Sequence, residues 1–228
     1  MAAETTIITM ASLFIVATPI GNLGDITLRA LETLKSVDLI VAEDTRHTRK
    51  LLAHFDIHKP LLSCEEHVTE TQSRKVLALL EEGKNLAFVT DAGTPAVSDP
   101  GARLVAKAVA AGHTIVTVPG ASAVTAALSV SGFPADNFVF FGFLPHKKGR
   151  EAFLKKVAGA KRTVVFFEST HRIGKLLEEL EQLVPQDRHL IIARELTKQF
   201  ETIYRGTIKD IKEQLKETRG EFTIVIAP

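Results

Sequence analysis

Apolar residues fall into two alternating rhythms along this chain. Short unbroken runs, Leu13-Phe14-Ile15-Val16-Ala17, Leu39-Ile40-Val41-Ala42, Pro60-Leu61-Leu62-Ser63, Leu86-Ala87-Phe88-Val89-Thr90 and Ile115-Val116-Thr117-Val118, suit strands covered on both faces. Between them lie stretches whose apolar side chains recur at helical spacing. Thr27 to Val37 carries Leu28, Leu31 and Leu34; Thr45 to Phe55 follows the second strand; Val76, Leu77 and Leu80 mark a third helix. Thr69 with Gln72 resembles a capping box for that helix, and Asp99 as N-cap with Pro100 in the first turn opens a fourth, ending at Gly112. This alternation predicts a parallel sheet with helices on both faces.

Pro119-Gly120 breaks the rhythm and predicts a hinge. Beyond it the pattern predicts a helix from Ser122 to Ser131, a strand Phe138 to Phe143, a helix Arg150 to Ala158, a strand Thr163 to Phe167 and a helix Thr170 to Leu183. Strands over His189 to Arg194 and Thr197 to Tyr204 have no helix between them, which implies an antiparallel pair. A helix Thr207 to Thr218 and a strand Phe222 to Ala227 complete the pattern. The expected architecture is two-lobed α/β: a disordered leader over residues 1–12, an N-terminal domain over 13–119 with a parallel sheet, and a C-terminal domain over 120–228 with a mixed sheet.

Composition narrows the class. With 228 residues, 45% of them apolar and 24% charged, the chain reads as an ordinary globular protein. Cys64 is the lone cysteine, so an intrachain disulfide is impossible and a reducing cytosol is the natural setting. Ile7 to Ile20 lacks a basic flank, is interrupted by Thr9, Ser12 and Thr18, and is too short for a bilayer, so a cytoplasmic protein without a membrane partner is expected. The eight histidines are scattered, with only His54 and His58 at helical spacing, and no metal site is expected. A net charge of +1 excludes nucleic-acid binding by overall charge, yet His146 to Lys175 holds nine Lys/Arg against Glu151 and Glu168. Such a stripe can neutralise phosphates or simply face solvent.

Candidate chemistry concentrates where the first strands end. In a parallel sheet all five N-terminal strands finish on one edge, and ligands bind at such edges. The continuations there are Thr18-Pro19-Ile20-Gly21-Asn22-Leu23-Gly24-Asp25, Glu43-Asp44-Thr45-Arg46, Cys64-Glu65-Glu66-His67, Asp91 to Gly101 and Pro119-Gly120-Ala121-Ser122. The run Asp91-Ala92-Gly93-Thr94-Pro95-Ala96-Val97-Ser98-Asp99-Pro100-Gly101 is longer and stiffer than a plain turn needs, and predicts one wall of a ligand site. Neither a G-x-G-x-x-G dinucleotide fingerprint nor a G-x-x-x-x-G-K-[ST] phosphate loop occurs.

These stretches, with Val118-Pro119-Gly120-Ala121-Ser122-Ala123, Phe141-Gly142-Phe143-Leu144-Pro145, Glu168-Ser169-Thr170-His171-Arg172-Ile173 and Arg194-Glu195-Leu196-Thr197-Lys198, resemble the ribosomal RNA small-subunit methyltransferase I family. That family belongs to the tetrapyrrole methylase-like (class III) methyltransferases. The resemblance runs from about Leu13 to Pro228 and implies a fold with the ligand cleft between its two lobes. It implies S-adenosylmethionine as donor, 2′-O-methylation of a cytidine ribose in small-subunit (16S) ribosomal RNA near the decoding centre, and a homodimer. Many members carry a small helical extension beyond the position of Pro228, and its loss would bear on RNA affinity more than on the donor site. By motif, Pro19, Gly21, Asp91, Gly93, Thr94, Pro95, Ser98, Ser122, Ala123 and Phe167 correspond to donor-binding positions. Gly93-Thr94-Pro95, where broader relatives carry Gly-Asp-Pro, matches the RNA-modifying branch.

A ribose hydroxyl is a weak nucleophile, so a proton acceptor is expected; the candidates are Glu195, Lys198, His171 and Glu168. Arg46, Arg49, Lys147, Lys148, Arg150 and Arg172 are the candidate phosphate contacts, on ribosomal RNA or on the assembled 30S subunit. Two other readings stay open from the residues alone: a methyltransferase of a tetrapyrrole or other small molecule, and a non-catalytic nucleotide-binding module.

Overall fold

The computed structural model describes residues 11–64 and 70–228. The capping box expected at Thr69 and the Glu65-Glu66-His67 segment lie outside the described residues, as does the leader up to Met10. Two compact units result, the first ending at Ala121 and the second spanning Ser122–Pro228. Among the described residues no helix is long and apolar enough to cross a membrane.

The first unit runs β1 (Ser12–Val16), α1 (Leu28–Ser36), β2 (Leu39–Ala42), α2 (Thr45–His54), β3 (Leu61–Ser63), α3 (Glu70–Glu81), β4 (Leu86–Val89), α4 (Ala102–Ala110) and β5 (Thr114–Val118). Its strands form one parallel sheet in the order β3-β2-β4-β1-β5. Helices start where side chains supply the missing acceptors: the Thr27 hydroxyl accepts the Ala30 N–H at 3.1 Å, and the Asp44 carboxylate accepts the Arg46 N–H at 2.8 Å. α1 and α2 bury Ala30, Leu34 and Leu52 against one face of the sheet, with Val16, Ile40, Ala42, Ala87 and Val89. α3 and α4 bury Val76, Leu80, Leu104 and Ala108 against the other, with Leu13, Val41, Leu86 and Phe88. β1 and β4 are therefore neighbours whose outgoing helices leave toward opposite faces. That divergence opens a crevice at their C-terminal ends, the usual ligand position in such sheets.

Two expectations need correction. Ala11 is buried and Ser12 opens β1, its N–H bonded to Asn85 Oδ1, so the packed structure begins inside the expected leader. The N-cap of α4 is Gly101 at φ 119, not Asp99. Pro100 closes the preceding loop instead, its carbonyl accepting the Ala96 N–H at 3.1 Å.

The second unit runs α5 (Ala123–Ser129), β6 (Phe138–Phe143), α6 (Arg150–Gly159), β7 (Thr163–Glu168), α7 (Ile173–Leu183), β8 (Leu190–Arg194), β9 (Thr202–Gly206), α8 (Ile208–Gln214) and β10 (Phe222–Ile226). The sheet order is β6-β7-β10-β8-β9, with β6 parallel to β7 and β10 antiparallel to both its neighbours. β8 and β9 pair antiparallel, as the missing helix implied. β9 begins only at Thr202, because Glu195 and Thr197 turn the chain with φ of 52° and 65°. Thr207 and Asp210 form a capping box on α8. α6, α7 and α8 cover one face of this sheet, burying Leu154, Leu176, Leu180 and Ile211 on Val164, Phe166, Ile192 and Ile224. α5 covers the other, setting Val124, Ala127 and Leu128 on Val165, Ile191, Ala193 and Val225.

Gly101 tests the loop-to-helix junction. A Cβ there would run into the Phe88 ring, and φ 119 disfavours any side chain. Gly101→Ala should lower stability by about 2–4 kcal/mol, read as a reduced urea midpoint with an unchanged m-value.

Candidate active site

At the crevice between β1 and β4 the two continuing chains bond to each other. Thr18 and Gly93 exchange backbone hydrogen bonds, N–H of Thr18 to O of Gly93 at 2.9 Å and the reverse at 3.1 Å. The Thr18 hydroxyl donates to the Thr90 carbonyl at 3.2 Å, and the Thr94 hydroxyl to the Ala121 carbonyl at 3.2 Å. The loops after β1, β4 and β5 thus form one hydrogen-bonded wall. Gly93 sits at φ 81, and a Cβ there would come 3.3 Å from Ile20 Cγ2. Further along the loop Ala96 and Ser98 adopt φ of 68° and 58°, conformations that cost energy outside glycine and cluster at functional sites. Pro19, Gly93 and Pro95 are buried, while Gly21 and Ser98 are exposed.

Carboxylates gather at the adjoining strand ends. The Asp44 N–H donates to Asp91 Oδ1 at 3.3 Å, and the Asp91 N–H donates to Glu43 Oε2 at 3.2 Å. Arg46 clasps Asp44 through Nε and Nη2, and these bonds with its backbone N–H hold the Asp44 carboxyl far below the usual carboxylate range. Arg46 is exposed yet paired, and Arg49 is exposed one turn further on. Cys64 is buried, and burial pushes its thiol up to about 11, which removes it as a nucleophile. Among the described residues no cluster of His, Cys, Asp or Glu suits a metal ion.

In the second unit a buried carboxylate organises its surroundings. Glu168, at the end of β7, is 1% exposed. Its Oε1 accepts from Arg172 Nη2 at 2.7 Å and from the Ser169 N–H at 2.7 Å, and its Oε2 from Arg150 Nη1 at 3.3 Å. Arg150 Nε also bonds both oxygens of Glu179, at 2.8 and 3.1 Å. The two guanidiniums reach the chain after β6 as well: Arg172 Nη1 donates to the Leu144 carbonyl at 3.1 Å and Arg150 Nη1 to that of Pro145 at 3.3 Å. Arg150 and Arg172, expected at phosphates, point inward instead. Glu168, expected among the proton acceptors, is an ion-pair centre out of reach of solvent. Lys147 and Lys148 are exposed between these anchors and α6.

Glu195 and Lys198 meet, as their spacing allows. Lys198 Nζ bonds Glu195 Oε1 and Glu221 Oε2, both at 3.0 Å, and the Glu221 N–H donates to Glu195 Oε1 at 2.8 Å. Burial pushes the Glu195 carboxyl up, but the Glu221 N–H, Lys198 and Arg194 outweigh it and hold it below its ordinary value. Burial likewise pulls the Lys198 ammonium down, and the hydrogen bonds it donates to Glu221 and Glu195 outweigh that to raise it. Each is locked in its charged form by the other. Gly220, at φ 115, leaves room for the Glu195 side chain, since a Cβ there would lie 2.7 Å from Glu195 Cγ. His171 is exposed on the 3-10 turn Thr170–Arg172, Ser122 caps α5 without using its hydroxyl, and Phe167 is half-buried against Phe140 and Phe143. Sequence reasoning placed Glu43 at a strand end without its partner Asp91, and missed Glu179, Gly220 and Glu221. Of those three, only Gly220, a glycine just before a strand, carries a local signal.

Residues 12–212 match the family of tetrapyrrole (corrin/porphyrin) methylases. Over 219 residues the chain is 47% identical to the Ribosomal RNA small subunit methyltransferase I of Haemophilus influenzae, covering 94% of this chain and 77% of that protein. The protein of the same name from Thermotoga maritima is 46% identical over 220 residues, covering 96% of this chain and 99% of the relative. This chain belongs to the ribosomal RNA small subunit methyltransferase I family. It is therefore a methyltransferase. Among solved structures, the cobalamin biosynthetic enzyme cobalt precorrin-4 methyltransferase matches with a TM-score of 0.73 at 22% identity, covering 95% of this chain and 94% of that one. At that identity the likeness speaks for the fold alone. At the β1/β4 strand ends, the hydrogen-bonded loops stand beside three carboxylates, Glu43, Asp44 and Asp91.

The ion-pair centre gives a direct prediction. Glu168→Ala leaves two guanidiniums partly stranded in the interior and should cost about 3–5 kcal/mol of stability in urea unfolding. A loss below about 1 kcal/mol would show that solvent reaches the cluster.

Proposed function

We propose that this protein transfers a methyl group from S-adenosylmethionine to the ribose 2′-hydroxyl of a cytidine in small-subunit (16S) ribosomal RNA near the decoding centre, acting in the cytoplasm as a homodimer. The observation that carries the reading is 47% identity to a relative named for small-subunit ribosomal RNA methylation; the ribose position, the compartment and the dimer follow from the family resemblance. Naked RNA and the assembled 30S subunit are both substrates to be assayed.

The first unit suits the donor. S-adenosylmethionine brings an electrophilic methyl on a positively charged sulfonium, together with an adenosine and an amino-acid group. The wall formed by Thr18, Gly93 and Thr94 presents backbone at close range, and Glu43 and Asp91 stand on the same edge, with Asp44 paired to Arg46. We assign donor binding to Pro19, Gly21, Asp91, Gly93, Thr94, Pro95 and Ser98, and from the family motif to Ser122, Ala123 and Phe167. Positioning of the two reactants can supply roughly 7–11 kcal/mol of the barrier reduction.

Proton removal from the ribose falls to His171 in this reading. Glu168, Glu195 and Lys198 are each engaged in ion pairs, whereas the His171 imidazole is exposed. The phosphate contacts retained are Arg46, Arg49, Lys147 and Lys148.

Calorimetry with S-adenosylhomocysteine tests the donor assignment, and absence of binding by folded protein would sink it. In methyl transfer to small ribosomal subunits, His171→Gln should lower kcat about 10²-fold or more with donor affinity kept. Glu195→Gln should lower it less and reduce stability instead. Transfer to a porphyrinogen but not to subunits or 16S RNA would favour the small-molecule reading. Lys147→Ala with Lys148→Ala should flatten the salt dependence of RNA binding by about one to two units of log–log slope; an unchanged slope would make both plain surface residues.

A further inference from the structure

Strand β6 carries an irregularity near its end. It pairs with β7 as Phe138↔Thr163, Val139↔Val164 and Phe140↔Val165, and then as Phe143↔Phe167, so an extra residue is inserted. Gly142, at φ 66, supplies the backbone turn. In an unbroken strand Phe143 would share the face of Phe141, which packs under α6 with its ring 5.2 Å from that of Phe153. The bulge moves Phe143 to the opposite face. There its ring and that of Phe140 each lie 5.1 Å from the Phe167 ring. Phe140 and Phe167 are half-buried; Phe143 is 56% exposed.

The chain just past Phe143 is held rigidly. The carbonyls of Leu144 and Pro145 are bonded by Arg172 and Arg150, both anchored on buried Glu168. Next come His146, Lys147 and Lys148, all exposed. An aromatic face standing in water, on fixed backbone, with two ammonium groups a few residues on, has the chemistry of a single-stranded RNA contact. Bases stack on aromatic rings, and phosphates take the neighbouring cations. A base inside a helix has both faces covered by its stacked neighbours, so the ring selects an unstacked or flipped-out nucleotide.

The geometry points to Phe143 as a stacking platform for an unpaired base of the RNA substrate, with Lys147 and Lys148 on the adjoining phosphates. This role for the ring rests on the RNA-methylating reading proposed above. It also gives the buried Glu168 cluster a second consequence, because Arg150 and Arg172 position the backbone between ring and lysines.

The test is steady-state methyl transfer to small ribosomal subunits by the full chain, with calorimetry for S-adenosylhomocysteine and sedimentation for mass. Phe143→Ala and Phe143→Leu should each raise KM for subunits about tenfold or more, while donor affinity and mass stay at wild-type values. Phe143→Trp, which keeps an aromatic face, should restore KM. The leucine variant retains apolar bulk, so its failure would mark loss of the ring rather than loss of packing. Unchanged KM in both variants overturns the proposal. So does a fall in donor affinity, which would place Phe143 in the donor site, or a change in mass, which would make it a contact between copies. If the wild-type protein moves no methyl to subunits or 16S RNA, the methylation reading itself falls, and the stacking site with it.

Discussion

Backbone that leaves a sheet must find new hydrogen-bond partners, and in the first unit that need shapes the crevice. β1 and β4 lie side by side, yet their chains depart toward opposite faces, so neither can continue the ladder. The reciprocal Thr18–Gly93 pair answers this by one extra antiparallel bridge beyond the parallel sheet. Everything near it adapts to that contact. Gly93 must be glycine-like to turn beneath Ile20, Thr94 reaches Ala121 in the chain after β5, and the loop regains the helix through left-handed Ala96, Ser98 and Gly101. Stiffness is the result: a wall whose backbone is already committed to its own hydrogen bonds.

The second unit handles charge rather than backbone direction. Glu168 is surrounded by cations from α6 and from the turn before α7, and those cations direct their remaining donors to carbonyls of the chain after β6. Two stretches of chain, 144–150 and 168–172, are thereby fixed to each other by one carboxylate. Glu195, Lys198 and Glu221 form a smaller knot of the same kind at the end of β8, made possible by Gly220. Both clusters sit where strands run out into loops, which is where a fold most needs such fastening.

Periodicity made the elements legible. Unbroken apolar runs located the strands, three-four spacing the helices, and the missing helix after Arg194 the antiparallel β8–β9 pair. Local chemistry misled where tertiary contacts decide. Asp99-Pro100 has the form of a helix start, but the Phe88 ring admits only glycine close by, and the cap moves to Gly101. Thr197 has the composition of a strand and instead turns with positive φ. At the site, the loops were visible because glycine and proline mark stiff backbone wherever they fall. The fate of the arginines was not: Arg150 looks like any member of a basic stripe, and its partners lie 18 and 29 residues away. Nothing local distinguishes a cation that faces solvent from one buried against a distant carboxylate.

The bulge in β6 reaches beyond the ring it displays. Among the described residues β6 is an outer strand of its sheet, paired on one side only, with β7. Regular outer strands are templates on which other chains add, and aggregation begins there. By interrupting the spacing of donors and acceptors at Gly142, the inserted residue spoils that template at the end of the strand nearest the loop. A Phe143 left open to water on a smooth edge would invite fibrous stacking; on a kinked one it is safer company.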